Sequence, residues 1–297
     1  MFDKFFIFSY FSEKTTVFLT KLNDMTDIVF AIKKLLIDIA IGNDINVIFA
    51  CVVGSRAYGL ASPTSDYDVR FVYSRKLHFV SIASYSDTIT QKIDERFDCQ
   101  GYDIKKFLIW LRTANQTCFE VLTSDIVIVD AMGFKASCED LLYQTNFTGT
   151  LIHAYAGMLR SDIKHCERDF ESKRYLAMCR SLTMLSSLLT HHAMDNIHRS
   201  EAESDGLPRH CVRMYYPRMK LHLPTLVDMV SLPDDVKNAI KHFIELKTTG
   251  HADQIVRTQS IDDAIVNVLT QCNDVRGLLS TPALEFYDAI LRRYVVF

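Results

Sequence analysis

The chain has 297 residues, 48% of them hydrophobic, and carries 33 basic and 36 acidic side chains for a net charge of −3. This is ample apolar material for one or two packed domains, and the near-balanced charge does not advertise a nucleic-acid binder, while leaving room for a local basic groove. Eight cysteines, at 51, 99, 118, 138, 166, 179, 211 and 272, include no Cys-x-x-Cys pair; they argue against a disulfide frame or zinc site and for a reducing, cytoplasmic setting, and no apolar run reaches the length of a membrane span. Residues 5–11 are apolar but are soon followed by Glu13 and Lys14, without a small-residue cleavage site, so a signal peptide is not expected. Residues 1–25 are expected to form an N-terminal extension, with Met25 as an alternative start. Thr26 is placed as an N-cap, and Ile28, Ala31, Ile32, Leu35, Leu36 and Ile39 form the stripe of a helix over 26–41, stopped by Gly42-Asn43. Strands follow near 47–53, 67–73, 87–93 and 97–102. A helix with Ile104, Phe107, Leu108 and Leu111 on one face begins after Asp103, helical character continues through 119–122, and 126–129 is extended. Beyond about 136 the apolar spacing is helical throughout, at 151–163, 175–189, 236–244, 261–269 and 282–293, with a turn-rich loop over 203–217. The pattern predicts an α+β fold: a mixed sheet with helices over 26–135, followed by an all-helical domain over 136–297.

The informative segment is Val53-Gly54-Ser55-Arg56-Ala57-Tyr58-Gly59, followed by Ser65-Asp66-Tyr67-Asp68-Val69-Arg70. An apolar strand ends in a Gly-Ser turn, a Ser-Pro-Thr-Ser loop follows, and a second strand opens with Asp-x-Asp. Residues two apart on a strand share a face, so the two carboxylates stand side by side. They repel unless a cation lies between them, and a hard ion such as Mg²⁺ takes oxygen ligands and bridges to substrate phosphates. In this reading Asp66 and Asp68 hold Mg²⁺, Gly54 lets backbone approach a phosphate, Ser55 holds the terminal phosphates, and Arg56 and Arg70 neutralise phosphate charge. Nucleotidyl transfer also needs a third carboxylate to orient or deprotonate the attacking hydroxyl. Asp98 and Asp103 are the candidates; their opposite parity means that only one can face the metal from a regular strand, and Asp103 also suits a helix N-cap.

These motifs resemble the predicted nucleotidyltransferases of the RNA-repair-associated branch, found in bacteria and tailed phages, within the DNA polymerase β-like superfamily. Gly101-Tyr102-Asp103-Ile104-Lys105-Lys106-Phe107-Leu108 is similar to the family's Gly-aromatic-acid-Leu-basic-Lys run. That match implies Asp103 as the third catalytic and metal-holding acid and brings Lys106 to the nucleotide. Asn115 and Glu120 fall where an Asn-Pro-x-x-x-Glu segment lies, with Gln116 in place of the proline. His153, and Lys173-Arg174-Tyr175-Leu176 followed by Arg180, resemble later helical signatures. Lys173 and Arg180 share a helix face, which either closes over the nucleotide phosphates or forms ion pairs with acids of the first domain. His191, Asp195 and His198 share a face as well, but read as a solvated helix end rather than a metal site.

The resemblance implies a Mg²⁺-dependent transfer of an NMP from an NTP to an acceptor hydroxyl, with an RNA end as the leading acceptor. Protein AMPylation or tRNA modification in a toxin–antitoxin or defence setting is the enzymatic alternative. A non-catalytic nucleotide-binding scaffold is the alternative of another class.

Overall fold

In the computed structural model, residues 25–75, 86–93, 96–143, 148–204, 221–275 and 282–295 are described. The extension over residues 1–24 and most of the turn-rich loop lie outside them. The first apolar stripe makes α1 (Met25–Asn43), and all six of its residues are buried. They lie against one face of a five-stranded sheet built from β1 (Ile45–Val53), β2 (Tyr67–Arg75), β3 (Thr88–Ile93), β4 (Phe97–Asp103) and β5 (Val127–Asp130). The strand order is β3-β4-β2-β1-β5. β1 runs antiparallel to β2 and β5, and β3 antiparallel to β4, whereas β2 and β4 are parallel.

Strand parity divides the sheet into two faces. Val69, Phe71 and Tyr73 of β2 join Phe97 and Cys99 of β4 beneath α1. Val53, Cys51 and Phe49 of β1, Val72 of β2 and Tyr102 of β4 face the other way. A register shift between Val47 and Phe49 lets Ile48 and Phe49 both enter this second face.

Helices cover the second face. A turn, α2 (Gly54–Ala57), follows β1; α3 (Ile104–Arg112) and α4 (Gln116–Thr123) follow β4; α5 (Phe134–Tyr143) follows β5. The helical half contributes α6 (Thr148–Arg168), α7 (Ser172–Ser204), α8 (Leu223–Met229), α9 (Asp234–Thr248), α10 (Gln259–Asn273) and α11 (Leu284–Tyr294). The α+β architecture with a helical C-terminal half is thus the one expected. The sequence reading has no counterpart for α8, and α7 continues past the 191–198 histidine run that was expected at a helix end. No His, Cys, Asp or Glu cluster among the described residues could hold a metal on its own.

The two halves share a core. One cluster of buried residues runs from Ile48 to Tyr294. Phe134 is its pivot, with ring centroids 6.0 Å from Phe49, 5.8 Å from Phe107 and 5.2 Å from Tyr294. The last described helix therefore packs against α3 and α5, two of the helices that lie on the sheet. The seven described cysteines are buried free thiols, and burial pushes that of Cys51 up to about 12. Among the described residues no helix is long and apolar enough to cross a membrane.

Candidate active site

The site begins where β1 ends. Gly54 has φ +66, the left-handed region that favours glycine. A Cβ there would run into the Asp68 carboxylate, so this position also lets Asp68 lie directly against backbone. The turn is closed by Tyr58 N–H to Gly54 O at 3.0 Å and Leu60 N–H to Ser55 O at 2.7 Å. The Ser55 hydroxyl is buried and makes no hydrogen bond within the described residues, which leaves a donor available to a ligand oxygen.

The loop that follows is held from within. Ser62 N–H donates to Ser65 Oγ at 2.9 Å, and Ser65 N–H to Ser62 O at 3.0 Å. Arg56 donates to the carbonyls of Ser65 and Asp66, and its guanidinium lies 3.6 Å above the Tyr67 ring. Arg56 thus fixes the backbone that presents Asp66, rather than reaching freely for a phosphate. Asp66 is exposed one residue before β2, and Asp68 is half-buried on it.

The parallel register brings Asp98 opposite Asp68, Gln100 opposite Arg70 and Asp103 opposite Tyr73. Opposed residues share a face, so Asp68 and Asp98 stand together on the face turned towards the helical half. Asp103 does not join them. It lies at the far end of β4, on the α1 side of the sheet, where its carboxylate accepts from Lys105 N–H at 2.9 Å and N-caps α3. Two causes keep it away: odd parity within β4, and the four residues of strand between it and Asp98. Its carboxyl is pushed above the ordinary range by burial, opposed by the Lys105 amide. Lys106 stays with that end as well, bonded to Asp87 at 2.8 Å and to Thr88 at 2.7 Å, with its ammonium 4.8 Å from the Trp110 ring. The structure therefore sets Asp98 beside Asp68, two residues along from Asp66, and does not bring Asp103 or Lys106 to them.

Arg70 binds both strand acids. Its Nη2 lies 3.4 Å from Asp68 Oδ1 and 3.1 Å from Asp98 Oδ2, while Nη1 donates to the carbonyls of Val69 and Asp98 at 3.2 and 3.1 Å. Even so, the Asp68 carboxyl is pushed up: burial raises it, Arg70 lowers it, and Asp66 and Asp98 raise it again. Two facing carboxylates offer the oxygen donors that a hard cation takes. The donors form an open set of carboxylates rather than a closed cage, which fits an ion that takes its remaining ligands from substrate phosphates.

The two cations expected from the helical half are placed differently. Lys173 is exposed near the start of α7. Arg180 is largely buried and faces the turn: its guanidinium lies 4.0 Å from the Tyr58 ring and 3.3 Å from Glu120 Oε1. Tyr58 donates to Glu120 Oε2 at 2.5 Å, Tyr155 to Oε1 at 3.2 Å and Gln116 to Oε1 at 2.8 Å. Burial alone would lower the Arg180 pKa, but Glu120 and the two tyrosines hold it above the ordinary value. Burial, with Glu120 adding to it, pushes the hydroxyls of Tyr58 and Tyr155 up too. Arg180 thus forms the ion pair with an acid of the first half. His153 bonds the Val275 carbonyl at 2.9 Å and braces α6 against the end of α10. Nothing in the linear sequence ties Tyr58 or Tyr155 to Arg180, because the ring of contacts is closed by packing alone.

Residues 30–211 match the RNA repair pathway DNA polymerase beta family, RlaP. The chain belongs to that family. It is also 31% identical over 121 residues to "Uncharacterized protein YcgL" of Bacillus subtilis (strain 168), an alignment that covers 40% of this chain and 46% of the relative. The matched part therefore spans about half the length of that relative. The family is one of DNA polymerase β-like nucleotidyltransferases, and its match takes in the Gly-Ser turn, both strands that carry the acids, and Arg180.

Proposed function

We propose that the chain is a divalent-metal-dependent nucleotidyltransferase that moves an NMP from an NTP to an acceptor hydroxyl, with an RNA end as the acceptor. The observation that carries this reading is the Asp68–Asp98 register next to a glycine turn into which no Cβ fits. The RNA acceptor draws on the family's RNA-repair association. Asp66, Asp68 and Asp98 would hold Mg²⁺, which when bound supplies charge neutralisation at the transferred phosphate and at the leaving pyrophosphate. The Ser55 hydroxyl donates to a phosphate oxygen. Asp98, on the strand beside the Asp-x-Asp pair, takes the proton of the attacking hydroxyl and so replaces Asp103 in that role. Arg56 contributes by holding the Asp66 loop in place, and Arg180 by holding Tyr58 at the end of the turn.

Incubating the full chain with each α-labelled NTP, Mg²⁺ and either RNA or lysate protein tests this directly. Label on RNA ends, lost in Asp66→Asn/Asp68→Asn, is the expected result. Label on protein alone would replace the acceptor while keeping the chemistry. No label under any condition would overturn the transferase reading.

A further inference from the structure

Arg70 makes more contacts than a screening cation needs. Two carbonyls fix Nη1, so Nη2 is aimed between the facing carboxylates of Asp68 and Asp98. Only 16% of the side chain is exposed, against 23% and 34% for the two acids. Asp68 Oδ1 and Asp98 Oδ2 belong to the two carboxylates that the proposed function gives to the divalent ion. Arginine is always charged and its planar fork suits two acceptors at once, whereas lysine offers a single point charge.

Resting on the reading of these acids as metal ligands, we propose that Arg70 is a resident counter-cation that occupies the Asp68–Asp98 pair in the nucleotide-free protein and must be displaced before a divalent ion binds there. Free metal alone competes with a pre-organised arginine. An ion arriving with a triphosphate brings further oxygen ligands and an anionic partner for the released guanidinium. The site would thus be weak for bare metal and strong for the metal–nucleotide pair, which keeps it from filling without substrate.

The test is a Mn²⁺ titration of the full chain without nucleotide, followed by electron paramagnetic resonance, for the wild type, Arg70→Ala and Arg70→Lys. Displacement predicts that Arg70→Ala binds Mn²⁺ at least about tenfold tighter, the scale of one charge-assisted hydrogen bond removed from competition. Arg70→Lys should also bind more tightly, by several-fold, because one ammonium cannot hold both carboxylates and both carbonyls; a mere field effect would leave it like the wild type. Should Arg70→Ala fail to fold without metal, the lysine variant decides. Arginine variants that bind Mn²⁺ no more tightly than the wild type would overturn the proposal. Because the readout is binding, an inactive wild type whose variants bind tighter would sink the transferase reading alone, and an active wild type whose variants are unchanged would sink only the role of Arg70.

Discussion

Asp68 is where charge and burial oppose each other most directly. Its folded-state pKa lies above the ordinary 3.8, so the native state binds more protons than the unfolded chain as pH rises from that value through the folded pKa, and stability is lost across that window. Asp66→Asn/Asp68→Asn should therefore melt at or above the wild-type temperature at pH 7, with the advantage shrinking as the pH falls towards 4 in calorimetric scans. The same variant should lose NMP transfer by at least about a hundredfold, on the scale of removing a key electrostatic element. A second comparison separates the third-acid candidates. Asp98→Asn should abolish transfer, whereas Asp103→Asn should retain it, since asparagine caps a helix as well as aspartate does. Asp103→Ala should cost about 1 kcal/mol of stability, typical of a lost N-cap, with transfer preserved. An inactive, well-folded Asp103→Asn would restore that residue to the site.

Between β1 and β2, the proposed chemistry rests on an element that is hardly an element at all, the single turn α2. Its geometry is set by the left-handed Gly54 and by the Asp68 carboxylate packed where a side chain would otherwise be. Gly54→Ala should cost roughly 1–2 kcal/mol in backbone strain and, by pushing Asp68 aside, reduce transfer by more than about tenfold, since small displacements of a reacting group are expensive. Denaturant titration and steady-state kinetics on the same preparation would read both. An alanine variant of wild-type stability and rate would show that the turn is more pliable than its contacts indicate. β2 and β4 matter for a different reason: their parallel pairing sets Asp68 beside Asp98, whereas a one-residue slip would face Asp68 with Phe97 or Cys99, which belong to the opposite side.

Across the molecule, the Tyr58–Glu120–Arg180–Tyr155 group ties the turn of the sheet half to two long helices of the other half. Arg180 and Glu120 are only 14% and 15% exposed, and removing one partner of a buried pair strands the other charge. Arg180→Ala should destabilise by about 3–5 kcal/mol, the usual range for such a break, and Arg180→Met with Glu120→Gln should recover part of that loss, because glutamine still accepts from Tyr58 and Tyr155 without leaving a charge stranded, as equilibrium urea unfolding would show. The shared core carries a related expectation. A fragment ending at residue 135 would lose α5 from the sheet and expose the sides of α3 and α4 that pack against α5, α6 and α11, so it should lack a cooperative unfolding transition, although the composition boundary in the sequence suggests a free-standing domain. A fragment that unfolds cooperatively, with dispersed amide resonances, would establish two independent domains.

The local patterns in the sequence determine most of the elements. Alternation and helical spacing locate β1, β2, β4, α1 and α3, because a side chain's period decides which side of its own element is apolar. The Gly-Ser turn and the Asp-x-Asp pair are legible for the same reason: every residue involved lies within one stretch of chain. The opposite parity of Asp98 and Asp103 is also visible, but not which of the two belongs to the site. The parallel pairing of strands about thirty residues apart places Asp98 beside Asp68, and no local pattern encodes a register between distant segments. The same limit applies to the cations. Sequence marks Arg56 and Arg70 as charged neighbours of a phosphate motif, the resemblance adds Lys106, and Arg180 is left between phosphates and an acid of the first domain, while packing assigns Arg56 to loop carbonyls, Arg70 to two carboxylates, Lys106 to Asp87 and Arg180 to Glu120. A long flexible side chain takes its partner from whatever the fold places within reach, so its role is a property of the tertiary structure.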